Sequence, residues 1–372
     1  MSLKPLSGIR VLDFTAMPPG GFCTVILADL GAEVIRIESP SQKGKTSLVI
    51  GQVALSRGKR SMTMDLRRPE AVPLLKRLVR SVDVVVENAK PGAMEDRGFG
   101  YSQAHAENNG IIWCAITGFG QSGPYSERGG HDVSYLAHSG LLRAVSPDPL
   151  WQPAISLSLQ AGALAAVVGI QSALIERSRT KQGAFLDISL AEAAGWFLTC
   201  GVNPLSERPY AISSTPDRRI YQCQDGRYVA VASSEPRTWT ALCEALGLAH
   251  LGEQLHKPDE SGQRAHMLAE KFLTRPAVEW AELLSAKGAA VTLVNHGQQV
   301  KEDPHVIARR SIADVGGTAV VANPIRMVAT DGRRSDTATG APPPVGADTT
   351  DVLLSAGLTQ DELEQLLKAG VI

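Results

Sequence analysis

Ile9-Arg-Val-Leu-Asp-Phe-Thr-Ala-Met-Pro-Pro-Gly-Gly-Phe-Cys-Thr-Val-Ile-Leu-Ala-Asp-Leu-Gly-Ala-Glu-Val-Ile-Arg-Ile-Glu38 decides the fold. Ile9 to Phe14 is a short apolar run that reads as a strand. Pro18-Pro-Gly-Gly21 breaks it, because proline fixes its own backbone and glycine relaxes it. Phe22, Val25, Ile26 and Leu30 then recur at helical spacing, and Gly31 ends that helix. Glu33 to Glu38 is a second strand. Strand, helix and strand in so short a span form a β-α-β unit, the opening of a parallel, doubly wound sheet.

Further units follow the first. Ser61 to Leu66 reads as a strand entered from Arg57-Gly-Lys-Arg60, Pro69 to Val79 as an amphipathic helix, and Val82 to Glu87 as another strand. The turn Asn88-Ala-Lys-Pro-Gly92 carries Lys90, and a helix begins at Tyr101. Ile111 to Ile116 is a buried strand running into the stretch Thr117 to Tyr135, whose glycines at 118, 120, 123, 129 and 130, with Pro124, predict a loop over Thr117 to Gly130. Leu159 to Arg177 reads as a long helix rich in Ala and Gly, Ala184 to Ile188 as a strand and Ala191 to Cys200 as a helix. Tyr221 to Ala232 alternates about Asp225-Gly226, a hairpin signal. Helical segments at 238–246, 265–273 and 277–284 and a strand at 290–294 complete a smaller α+β domain. Gln360 to Ala369 is a closing helix with Thr359 as N-cap and Gly370 beyond its end. The expected division is 1–200 for the N-terminal part of the large domain, 201–219 for a linker and 220–315 for the small domain. Residues 316–372 return to the large domain.

With 372 residues, 44% hydrophobic and 20% charged, the chain can bury a substantial core. A net charge of −1 without a basic block argues against nucleic acid as a partner. Cys23, Cys114, Cys200, Cys223 and Cys243 are odd in number and scattered, so neither a disulfide framework nor a zinc site is indicated, and no metal is expected. A reducing cytoplasm suits them. Met1 to Gly8 has no apolar signal core, and the polar Gln160 and Gln171 make the long helix a packed core helix rather than a membrane span.

Gly118, Gly120 and Gly123 spell the dinucleotide fingerprint G-x-G-x-x-G. That reading needs a helix at the third glycine and an acidic residue about twenty positions on. Pro124 and Gly129-Gly130 oppose the helix, and residue 138 is a histidine. More telling is His131-Asp132, a titratable pair behind a glycine doublet, suited to proton transfer near neutral pH unless it is merely solvated. Arg36, Arg57, Lys59, Arg60, Lys90 and Arg97 stand at strand and turn ends. They suit the phosphates of a nucleotide-like ligand, although a solvated basic turn reads the same way. Glu235, after a buried strand and before Pro236, either orients a histidine or caps a helix. These residues describe an α/β enzyme with a phosphate-bearing ligand and a His-centred loop.

So assembled, the chain resembles the family III CoA-transferases, which include formyl-CoA and carnitine CoA-transferases and α-methylacyl-CoA racemases. The resemblance runs through Leu6–Phe14, Leu27–Glu38, Lys59–Leu66, Asp83–Gly92, Gly118–Pro124, Asp225–Val231 and the terminal Leu-Leu-Lys-Ala-Gly-Val-Ile372. It implies a Rossmann-like large domain, a small α+β domain and two subunits interlocked as rings. It also implies an acyl-CoA substrate, its phosphates near the basic residues above, with no separate cofactor. Gly-His-Asp-x-x-Tyr at 130–135 is similar to the racemase branch, where the histidine is the acid/base for the α-proton, and Glu235 falls where that branch pairs a glutamate with it. Where both branches place an aspartate at the head of the long helix, this chain has Ser158; Asp132 and Asp148 are the carboxylates that would substitute. The region around Ser213-Ser-Thr-Pro216 also departs from the family's usual glycine- and tyrosine-bearing segment. The implied activity is α-proton chemistry on a 2-methylacyl-CoA. CoA transfer between carboxylic acids is the alternative, and CoA binding without catalysis a second.

Overall fold

The computed structural model describes residues 3–15, 18–45, 50–145, 152–200, 215–257, 259, 261–337 and 340–372. Arg10–Asp13 (β1), Glu33–Glu38 (β2), Arg60–Thr63 (β3), Val84–Glu87 (β4), Ile112–Thr117 (β5) and Ala184–Ser189 (β6) form one sheet. Its order is β3-β2-β1-β4-β5-β6, and every neighbouring pair is parallel. The doubly wound reading of the opening stretch therefore holds. Helices cover both faces, which is why the central strands are apolar on both sides rather than alternating with polar residues.

The alternation inside each strand sorts the cores. Val11, Val34, Val84, Val86, Ile112, Cys114 and Ile116 pack with helices Gly20–Asp29 and Leu157–Thr180. Leu12, Ile35, Val85, Trp113 and Ala115 face the other way, onto helix Ala71–Val79 and the C-terminal helices Thr349–Ser355 and Gln360–Lys368. The last helix is capped as its sequence requires. Thr359 Oγ1 accepts from Glu362 N at 3.3 Å, the Glu362 carboxylate accepts from Thr359 N at 2.7 Å, and Gly370 follows at φ +66°.

Helix Leu157–Thr180 has the length and apolarity of a membrane span. Its Ala163, Ala166, Val167, Ile170 and Ala173 are buried in the first of these cores, where small side chains admit close packing. Leu164, Val168 and Ile175, on its other face, are exposed.

By contact density the chain forms two compact units, Met1–Pro204 with Ala308–Ile372, and Leu205–Ile307. In the second, Arg218–Gln222 (β7), Tyr228–Ala232 (β8) and Val291–Leu293 (β9) make an antiparallel sheet. Helices Pro236–Ala245, Gln263–Phe272 and Ala277–Ala286 pack Trp239, Phe272 and Trp280 into its core. Two features depart from the sequence reading. Ile312–Val315 (β10) and Thr318–Val321 (β11) form a hairpin, grouped with the first unit, where a plain return crossing was expected from 316. Gly316 and Gly317, at φ +58° and +85°, supply the two left-handed positions its turn demands. After the loop that follows β5 there is also a helix, Asp132–Ser139, which was not expected.

Candidate active site

Reversal of strand order between β1 and β4 opens a crevice at the carboxyl ends of those strands, the usual ligand position in such sheets. A cleft of about 280 Å³ lies there. Pro18 and Pro19 line it after β1, Asn88 to Pro91 after β4, and Thr117, Gly118 and Ser126 to Asp132 after β5; Tyr135, Leu159 and Leu190 close it. Gly123 opens no helix, so the dinucleotide fingerprint lacks its structural context.

Two glycines of this loop make room for Tyr135. A Cβ on Gly118 would stand 2.5 Å from the Tyr135 ring and one on Gly130 2.9 Å from it. The ring is buried between them, against Phe119, and its hydroxyl donates to the Gly130 carbonyl at 2.7 Å. Tyr135 thus pins the loop and sets His131 as N-cap of the helix that follows. The His131 side chain is exposed and makes no hydrogen bond among the described residues.

Asp132 turns toward the head of helix Leu157–Thr180. Its Oδ1 accepts from the Ser158 amide at 2.8 Å and from the Ser158 hydroxyl at 2.5 Å. Ser158 is fully buried, and a carboxylate at a helix N-terminus is favoured by the exposed N–H groups there. The structure therefore joins Asp132 and Ser158, both expected in the site. Oδ2 of Asp132 accepts no hydrogen bond among the described residues. Asp148 and Ser213 lie outside the described residues.

The six expected phosphate cations separate. Lys59 is buried, its Nζ donating to Asp13 Oδ2 at 3.0 Å, Thr24 Oγ1 at 2.6 Å and the Gly21 carbonyl at 3.2 Å, which occupies its three N–H bonds. Burial raises the pKa of Asp13, but Lys59 and the Thr15 and Thr24 hydroxyls outweigh it and hold the group below its usual range. Arg57 forks onto Asp29 at 3.2 and 2.6 Å and donates to the Ala54 carbonyl, also buried. Both are ion pairs of the interior, and the expectation that they hold phosphate is corrected: each charge is matched by a carboxylate out of contact with water. Arg36 pairs with Glu38 at 2.9 Å and Arg60 with Glu33 at 2.8 Å and Asp348 at 3.3 Å. Lys90 remains on the cleft wall and exposed, while Arg97 borders a separate hollow with Glu38, Asp65 and Arg67.

Arg128, which carried no sequence signal beyond its charge, also lines the cleft, its guanidinium 3.6 Å from the centre of the Tyr125 ring. Glu87 was likewise missed. It ends β4 buried, and burial pushes its pKa up to about 7 against the opposing hydrogen bonds from Ala89 N, at 2.6 Å, and Trp113. Glu235 caps helix Pro236–Ala245 in the second unit and is exposed. All five cysteines are free, and burial raises the pKa of Cys23 and Cys114, so neither is an activated thiol. No cluster of metal-ligating side chains occurs among the described residues.

The comparisons with known proteins agree with this architecture. The model of CoA-transferase family III matches residues 6–349. The chain is 31% identical to the α-methylacyl-CoA racemase of Mus musculus, over 97% of this chain and 96% of that one. It is also 31% identical to the succinyl-CoA–D-citramalate CoA-transferase of Chloroflexus aurantiacus, over 99% and 98%. Among solved structures, a CAIB/BAIF family protein from Brucella suis superposes with a TM-score of 0.82 at 26% identity, covering 96% of this chain and all of that one. Its relatives are enzymes of both reaction types, and the chain belongs to CoA-transferase family III.

Proposed function

We propose that this protein catalyses α-proton chemistry on a 2-methylacyl-CoA, a racemisation or a related isomerisation, with no cofactor beyond the CoA of the substrate. The observation that carries the proposal is the contrast between residues 131 and 158. His131 presents a free imidazole at the cleft, whereas the position at the head of the long helix offers a buried hydroxyl already bonded to Asp132. His131 takes the α-proton. The amides of Gly129 and Gly130, which donate no hydrogen bond among the described residues, are available to the enolate oxygen. Lys90, Arg97 and Arg128 hold phosphate, each good contact contributing roughly 1.5–3 kcal/mol. The exposed Leu164, Val168 and Ile175 support a homodimer, in which that apolar stripe is covered.

A second reading, CoA transfer, is favoured by the unbonded Oδ2 of Asp132. That carboxylate would attack the thioester carbonyl and expel the CoA thiolate, giving an acyl anhydride; the thiolate would then attack the Asp132 carbonyl carbon, releasing the donor acid and leaving an Asp132–CoA thioester. The acceptor carboxylate would displace the thiolate to form a second anhydride, and attack of the thiolate on the acceptor's carbonyl would release the new thioester and free Asp132. Incubation in D₂O with several acyl-CoAs and free acids, followed by mass spectrometry, decides between them. Deuterium in the acyl group without new thioesters supports the first reading. New thioesters without deuterium replace it with the second.

A further inference from the structure

Thr117 ends β5 and forms part of the cleft wall, and it is 8% exposed. Its hydroxyl has no hydrogen-bond partner among the described residues. Three other buried side-chain atoms share that condition, on Gln121, Arg227 and Asn323, but Thr117 alone of the four borders the cleft. The backbone cannot relieve it. Thr117 is locked in register opposite Ser189 of β6, and the next residue, Gly118, is fixed by the Tyr135 ring. Valine has the same shape and the same preference for strands, and would leave nothing unsatisfied there. A hydroxyl kept at such a place is explained by a partner that arrives with the ligand.

We propose that Thr117 is a ligand-contacting residue whose hydroxyl donates a hydrogen bond to a carbonyl oxygen of the bound acyl-CoA. This rests on the acyl-CoA reading above. Two kinds of carbonyl in that ligand have the right chemistry, the thioester and the amides of the pantetheine arm, and the oxygen of either accepts but does not donate. Calorimetric binding of CoA and of acetyl-CoA to wild type, Thr117→Val and Thr117→Ser, with thermal melting of each, tests the assignment. Thr117→Val is expected to bind acetyl-CoA about three- to tenfold more weakly while melting no lower than wild type, and Thr117→Ser to bind as wild type does. Loss with acetyl-CoA alone identifies the thioester carbonyl; equal loss with CoA identifies an amide. Unchanged affinity of Thr117→Val for both ligands overturns the proposal, and a lowered melting point with unchanged affinity would assign the hydroxyl to an internal water. A wild type that takes up neither ligand overturns the acyl-CoA reading itself, and this contact with it.

Discussion

Glu87→Gln removes a charge that the fold holds out of water beside the cleft. The carboxyl is 6% exposed, with Ala89 N at 2.6 Å and Trp113 as its hydrogen-bond donors. Burial outweighs them and raises the group from its usual 4.5 to about 7. Between those values the folded state binds the proton and the unfolded chain does not, so stability falls as pH rises. The contribution is full below pH 4.5 and gone above pH 7, and the gap corresponds to about 3 kcal/mol at most. Glutamine keeps an acceptor for Ala89 N but does not ionise. Urea unfolding of both proteins at pH 5, 6, 7 and 8 should therefore show wild type losing about 2–3 kcal/mol relative to Glu87→Gln across the series. Parallel pH profiles would refute the reasoning and place the Glu87 carboxylate in contact with water.

Lys59→Met should destabilise the protein by about 3–5 kcal/mol in denaturant titrations, because it leaves the Asp13 carboxylate buried without a countercharge, bonded only by the Thr15 amide and the Thr15 and Thr24 hydroxyls. An unchanged midpoint would mean that Asp13 is protonated in the native state. Ser158→Asp should raise the rate of α-centre inversion relative to α-hydrogen exchange, since it supplies a carboxylate where His131 now has no evident counterpart; an unaltered ratio would assign the second face to another group. Sedimentation at micromolar concentration should return a two-chain mass, and a clean monomer would remove the dimer from the account.

The parallel sheet was legible because β1, β4 and β5 carry apolar residues on both faces, and that pattern survives any detail of packing. The cations were not. Arg57-Gly-Lys-Arg60 shows charge density along the chain, but Asp29 and Asp13, which neutralise Arg57 and Lys59, lie 28 and 46 residues away. The loop of 117–130 was legible at its glycines, but the helix that follows it was not. The Tyr135 ring needs the empty space at Gly130, and the helix that begins at Asp132 delivers it. His131 and Asp132 stood out by chemistry, whereas the bond from Ser158 to Asp132 spans 26 residues and had no local signature. Glu87 was passed over because it completes a strand whose pattern was already explained, and Thr117 because it was read as the first residue of the loop rather than the last of β5.

The α-hydrogen exchange of a 2-methylacyl-CoA in D₂O, followed for wild type and His131→Ala with CoA binding checked in both, addresses the central claim most directly. The account predicts deuterium uptake by wild type, faster than inversion of the centre because the proton returns mostly to the face it left. It predicts none in His131→Ala, which still binds CoA. Undiminished exchange in His131→Ala, or no exchange in a wild type that binds the thioester, would contradict it.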